Sequence, residues 1–302
     1  MSSRQIAKAV LGSKSKKSTV NDYLKRLGLR DIPKVESITP DFSREYQKAK
    51  VLIADIEISP ILSSVWSLWN NNVGLNRINA DWYMLSYAAK WANSSNVFYE
   101  DKRDSWDTED DSEILKGIWK LLDEADFVIG HNLRKFDVKK LNARFILNGL
   151  PKPSTYRVID TLEIAKSTFA FTSNKLEYLT DKLCKKNKKS KHAKFSGFAL
   201  WSECLKGNQE AWQEMEDYNI MDVVSNQELY EILAPWDNKL PNLDVYTEDE
   251  TLSSEWEHIG YHYTNLGKYN KYRSSVTGQQ RRGRVNLLSK EKRMSLLANI
   301  VS

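Results

Sequence analysis

The stretch Val-Leu-Ile-Ala-Asp-Ile-Glu-Ile-Ser at 51–59 sets the tightest limit on what this chain can fold into. Six of its nine residues are aliphatic, five of them Val, Leu or Ile, which is the pattern of a buried strand. Two carboxylates, Asp55 and Glu57, interrupt it. Side chains two apart on a strand point to one face, so these acids stand side by side. Burying them unpaired costs several kcal/mol or raises a pKa. A fold that keeps such a strand must supply something that offsets both charges.

Around this strand the chain is long enough for one large domain or two to three modest ones, at 302 residues with 41% hydrophobic content. No apolar run approaches the ~20 residues of a membrane span. The N-terminal MSSRQIAKAV lacks the apolar core of a signal peptide, so no membrane partner and a cytoplasmic location are expected. Cys184 and Cys204 form no CxxC pair, so neither a disulfide framework nor a zinc site is expected.

Four parts follow from the pattern. Residues 1–30 read as a small helical module, 31–49 as a linker, 50–235 as alternating strands and helices, and 236–302 as a basic, aromatic extension. Beyond the first strand, 65–69 and 84–91 are strand candidates and 126–129 and 158–159 are short strands. Helices are expected at 111–125, capped by Asp110 or Asp111, and at 134–147, 162–169, 174–184 and 209–233. The acidic stretch 100–113 reads as a solvated loop and helix start.

Two further acids sit beside apolar segments. Phe127-Val-Ile-Gly-His131 leads into Asn132-Leu-Arg-Lys-Phe136-Asp137, which places Asp137 at a helix start just past a strand. The last long helix carries Tyr218-Asn-Ile-Met-Asp222, whose two ends share a face. If the four acids converge, a pair of divalent cations relieves their repulsion. Hard oxygen donors suit Mg²⁺ or Mn²⁺, and two such ions activate water and stabilise the leaving oxygen of a phosphodiester.

D-x-E on the first strand, N-x3-F-D before a later helix and Y-x3-D on the last helix, in this order, resemble the DEDD 3′–5′ exonucleases. The contexts DIEISP, GHNLRKFDVKKLNARF, IDTLEIAK and SNKLEYL look like stand-alone exonucleases of phages and bacteria. The resemblance covers about 50–235 and implies an α/β, ribonuclease H-like mixed sheet flanked by helices. It implies that Asp55, Glu57, Asp137 and Asp222 hold two metals while Tyr218 orients the attacking water. Some members place a histidine five residues before the last acid; here that position is Asp217, and Tyr218 marks the tyrosine subclass. Asp160 has two readings, a cap of the following helix or a support of the metal site. His131 and Asn132 either stabilise the strand-to-helix turn or approach the substrate.

The flanks are basic. Residues 3–12 and 18–27 resemble a helix-turn-helix with an overlong turn, which could bring Lys17 and Asn21 near base edges of duplex DNA or could be a hairpin that merely packs. The run KLCKKNKKSKHAK, with Lys185, Lys186, Lys188 and Lys189, is a solvated loop or a holder of the nucleic-acid backbone. In the tail, tyrosines alternate with Lys and with Arg281, Arg282 and Arg284, a mixture suited to stacking on bases and contacting phosphates. Relatives often carry a four-cysteine zinc ribbon there; with no cysteine after Cys204, a ribbon-like shape without zinc is expected.

The function these features predict is a metal-dependent exonuclease. It would act on single-stranded 3′ ends of DNA, in a bacterial or phage-infected cell, with replication or recombination proteins as partners. The alternatives are an RNase of the same fold, or a DNA-binding replication or regulatory accessory protein with little or no nuclease activity.

Overall fold

The computed structural model describes residues 39–67, 69, 72–105, 109–187, 194–246 and 255–298, and Ala9 besides. The chain divides into two units, Met1–Ile38 and Thr39–Ser302. The helix-turn-helix reading of 1–30, with Lys17 and Asn21, therefore lies outside the described residues, as do Lys188 and Lys189.

A five-stranded sheet forms the centre. Its strands are β1 (Val51–Ile58), β4 (Met84–Trp91), β5 (Val97–Asp101), β6 (Phe127–Gly130) and β7 (Arg157–Asp160). They lie in the order β5-β4-β1-β6-β7. β4 runs antiparallel to β1 and β5, whereas β6 and β7 continue parallel to β1. β2 (Leu62–Ser63) and β3 (Ile78–Ala80) make a small separate ladder. The helices are α1 (Ser112–Glu124), α2 (Asp137–Leu147), α3 (Thr161–Thr168), α4 (Leu176–Leu183), α5 (Phe198–Leu205), α6 (Gln209–Leu233) and α7 (Lys290–Ser295).

The sheet is covered on both sides, which explains the apolar run of β1. Its even residues Leu52, Ala54 and Ile56 pack with Ile114, Leu115 and Ile118 of α1 and with Leu141 and Phe145 of α2. Its odd residues Val51 and Ile53 pack with Ile164 of α3, Leu179 of α4 and Val223 and Leu229 of α6. Asp55 and Glu57 continue the odd series, so strand alternation aims them at the layer that holds α6. This is a mixed sheet flanked by helices, a ribonuclease H-like fold.

Several expectations need correction. Residues 65–67 and 69 form no strand; the ladder uses 62–63 and 78–80, because Trp66 and Trp69 are 91% and 81% exposed and find nothing to pack on. The acidic stretch 100–113 is not simply solvated, since Glu100 and Asp101 end β5 and Asp111 is fully buried. Asp111 does not cap α1 through its side chain; Asp110 accepts from Ser112 N at 3.0 Å. Residues 39–49 are no free linker, because Phe42, Tyr46 and Ala49 enter the core. The extension holds a three-stranded antiparallel sheet of β8 (Trp256–Thr264), β9 (Gly267–Ser274) and β10 (Gln280–Arg282). Among the described residues, no helix is long and apolar enough to cross a membrane.

Candidate active site

The acids come together through three elements. β1 sets Asp55 opposite Ala88 and Glu57 opposite Ser86 of β4, with a register shift between Glu57 and Ile58. Small partners on β4 let α6 approach. Asn219, fully buried on α6, accepts from Ser86 Oγ at 3.3 Å and donates through Nδ2 to Asp55 Oδ2 at 2.8 Å. Beside Asn219 on that helix, Tyr218 hydrogen-bonds to Asp222 one turn further on. The Trp201 ring of α5 packs edge-on against the Tyr218 ring at 6.1 Å.

Asp137 is placed by the β6–α2 turn. Pairing of β1 with β6 ends at Ile53 and Ile129, which leaves the β1 edge open beyond it. Asp137 Oδ1 takes the Ile56 N–H there at 3.3 Å. The turn requires Gly130, since a Cβ at that position would lie 2.8 Å from Leu133 Cβ and 3.1 Å from Ala54 O. Asn132 holds a left-handed φ of 66°, a conformation Asn tolerates better than most residues.

Asp160 resolves toward a capping role on both sides. Its carboxylate accepts from Leu162 and Glu163 N at the start of α3 and from Asn132 and Arg134 N in the turn. His131 also serves the turn. Its Nδ1 lies 2.9 Å from Thr161 Oγ1 and its Nε2 2.9 Å from the Asn174 carbonyl, while burial lowers its pKa. With both ring nitrogens engaged, it is not poised as a general base. The Asn132 side chain makes no hydrogen bond among the described residues.

Charge at the site follows from this packing. Burial first, then the carboxylates of Asp137, Glu57 and Asp222, push Asp55 well above the usual carboxylate range. Of the principal influences on Asp55, only the Asn219 amide favours its charged form. Among the described residues, no three His, Cys, Asp or Glu side chains form a ready-made ligand cage. Asp55, Asp137 and Asp222 instead hold protein donors, in Asn219, Ile56 N and Tyr218. The donor set nevertheless suits a hard divalent cation, because the four acids lie on three elements around one β1 segment and three of them act electrostatically on the fourth.

The Asp137 carboxyl is pushed up to about 7, chiefly by burial, which outweighs its backbone hydrogen bonds. An unfolded Asp titrates near ~3.9, so the folded state binds this proton more tightly. The stability it brings is present below ~3.9 and is lost as pH rises toward 7. In chelator-treated protein the melting temperature is expected to fall across that window, and Asp137→Asn should flatten the fall. Thermal scans at several pH values check this; superimposable pH dependences for the two proteins would contradict it.

The remaining expected contacts scatter. Lys185, Lys186 and Asn187 present backbone N–H groups to Glu228 of α6 at 2.6–3.1 Å, which anchors the entry to the lysine run and leaves both lysine side chains exposed. Burial works against the Glu228 charge, but these bonds prevail and hold its pKa below the usual range. Arg281 is half-buried and drawn inward, donating to Gln279 Oε1 at 3.0 Å and lying 5.7 Å from the Trp256 ring centre. Arg282 and Arg284 stay exposed. Sequence reasoning missed Asn219 and Trp201, whose parts depend on which strand and helix face them.

With this geometry in view, residues 73–234 match the model of the RNase H superfamily, and the chain belongs to that superfamily. Asp55 and Glu57 precede the matched segment. The chain is also similar in structure to the family B DNA polymerase from the hyperthermophilic archaeon Pyrobaculum calidifontis. The sequences are 17% identical, the match covers 62% of this chain and 25% of the polymerase, and the TM-score is 0.46. The chain thus spans about a quarter of that protein's length. No curated protein matches.

Proposed function

We propose that the chain is a metal-dependent 3′–5′ exonuclease acting on DNA, of the tyrosine subclass of the DEDD group. The observation that carries this reading is that Glu57, Asp137 and Asp222 all lie close enough to Asp55 to act on its charge, around β1 of a ribonuclease H-like sheet. These four carboxylates would hold two Mg²⁺ or Mn²⁺. When bound, such ions supply a nucleophile at neutral pH and stabilise the leaving oxygen of a phosphodiester. In this reading residues 50–235 do the chemistry, and 1–30 and 236–302 recruit nucleic acid.

The chain's own residues divide the remaining work. Asn219 fixes the orientation of Asp55, held in turn by Ser86. Tyr218 keeps its proton far above neutral pH, because burial and then the Asp222, Glu57 and Asp55 charges disfavour the phenolate. Its hydroxyl therefore orients a neighbour by hydrogen bonding and does not remove a proton. Tyr218→Phe should lower kcat by roughly 10–1000-fold with metal affinity nearly unchanged. Steady-state kinetics beside a metal titration checks this, and a wild-type rate would reduce Tyr218 to a packing residue.

The reading as a whole is tested with chelator-treated protein, to which Mg²⁺ or Mn²⁺ is restored. Hydrolysis of single-stranded DNA, duplex DNA and RNA is then followed. Metal-dependent release of nucleotides from DNA is expected. No release with either metal, or equal release in excess chelator, would remove the proposal.

A further inference from the structure

Three adjoining depressions run along one side of the described body. The first is lined by Arg134, Lys135, Lys166 and Lys239, with the β7 residues 158–160 as its wall. A second shares Arg134, Val158 and Lys239 with it and adds Tyr156 and Arg157. The third shares Asp237 and Leu240 with the first and reaches Lys271, Arg281 and Arg282 of the C-terminal sheet. These shared residues set the three side by side, and together they make one basic groove-like tract. It follows the outer edge of β7, the last strand of the central sheet.

Its charge is one-sided. Eight Lys or Arg side chains line it against three carboxylates, and each carboxylate is committed. Asp160 gathers backbone N–H groups, Glu163 pairs with Arg134 at 3.2 Å, and Asp237 accepts from Lys239 N at 2.9 Å. Among the described residues, Lys135, Arg157, Lys166, Lys239, Lys271 and Arg282 make no ion pair with an acid. A row of unneutralised cations in a shallow, extended groove suits a polyanion with regularly spaced charges better than a compact ligand.

The first depression reaches the turn that precedes Asp137, although none of the four acids lines it. Arg134 and Lys135 belong to the turn that delivers Asp137, and Asp160 lies beneath that turn. We propose that this groove carries the phosphodiester backbone of a nucleic-acid strand from the C-terminal sheet, along the β7 edge, to the turn that delivers Asp137 to the candidate site. The proposal rests on the nuclease reading for its direction, and on charge and continuity for the binding itself. It gives the C-terminal sheet a concrete part, since the far end of the path is built from Lys271 and Arg282. Arg281, though partly committed to Gln279, adds its charge to the same wall.

The test compares two triple variants of the full chain. Arg157→Glu/Lys166→Glu/Lys239→Glu reverses three exposed cations that have no acidic partner among the described residues. Lys116→Glu/Lys120→Glu/Lys206→Glu applies the same charge change at exposed lysines that do not line the groove. Binding is read by fluorescence anisotropy in chelator, on a single strand of about 20 nucleotides and on a duplex with a 3′ overhang, across a salt series.

The groove triple should lose about tenfold or more in affinity for at least one of these ligands, and its log–log salt slope should flatten by about 2, near 0.7 per lost phosphate contact. The ligand that loses affinity identifies which form of nucleic acid lies in the groove. The control triple should bind within about twofold of wild type, and cleavage of strands of about three nucleotides should be unchanged in the groove triple, because so short a strand lies at the acids and not along the path. A groove triple that binds both ligands like wild type, or two triples that lose affinity equally, would overturn the proposal. Expected binding losses in a protein that hydrolyses nothing would leave the groove standing and remove the nuclease reading. Normal hydrolysis with unchanged long-strand affinity would do the reverse.

Discussion

Replacing any one of Asp55, Glu57, Asp137 or Asp222 by alanine is expected to lower hydrolysis of labelled DNA by at least about 10²–10³-fold, the loss typical of one preorganised charge-stabilising group. The reason is cooperative. Three of these carboxylates already act on the fourth across a short span of β1, so each sets the field in which the others bind a cation. The fold should survive each change, because no strand or helix core is made by these side chains. Relief of like-charge repulsion should offset part of what each change removes in the metal-free protein, which for Asp137→Ala includes the acceptor of the Ile56 N–H and for Asp55→Ala that of the Asn219 amide. Rates measured in saturating Mn²⁺, with melting curves beside them, check both halves. Near-normal turnover in any two of the variants would defeat the assignment.

The largest loss of stability is expected at a pair outside the four acids. Asp111 is fully buried, and Arg144 meets it with two charge-assisted bonds, Nε to Oδ2 at 2.7 Å and Nη2 to Oδ1 at 2.6 Å. Met84 N donates to the same carboxylate at 2.9 Å, so the pair ties α1, α2 and β4 together. Arg144→Ala removes the counter-charge and leaves Asp111 buried with neutral donors alone. Breaking such a pair costs about 3–5 kcal/mol. Denaturant unfolding should show that loss, and the double variant Asp111→Asn/Arg144→Met should recover part of it. A single variant within about 1 kcal/mol of wild type would mean that water reaches Asp111, because solvent-exposed pairs contribute only that much.

How legible the molecule was in its sequence depended on burial. β1 could be read because both its faces are covered, which leaves an apolar run that two acids conspicuously break. α6 could be read from its length and from the Tyr218–Asp222 spacing. β5 alternates between half-buried and exposed positions and ends in Glu100 and Asp101, so its composition resembles a loop. Residues 65–69 mislead in the opposite way, since Val and Trp favour strands only where a partner surface exists. Phe42 and Tyr46 sit among prolines and charges, and only the tertiary structure shows that Phe42 reaches Tyr230 and Tyr46 reaches Glu231 of α6. The acids of the candidate site announced themselves by type and spacing. Asn219 did not, because its part is defined by Asp55 and Ser86, more than 130 residues away.

End-labelled degradation tests the central claim most directly. A single DNA strand labelled at its 5′ end, and the same strand labelled at its 3′ end, are digested with Mg²⁺ or Mn²⁺ by the wild-type protein and by Asp222→Asn. The account predicts that the 3′ label leaves at once as a mononucleotide, that the 5′-labelled strand shortens stepwise, and that Asp222→Asn leaves both strands intact. Immediate loss of the 5′ label, cuts within the strand, or full activity in Asp222→Asn would contradict it.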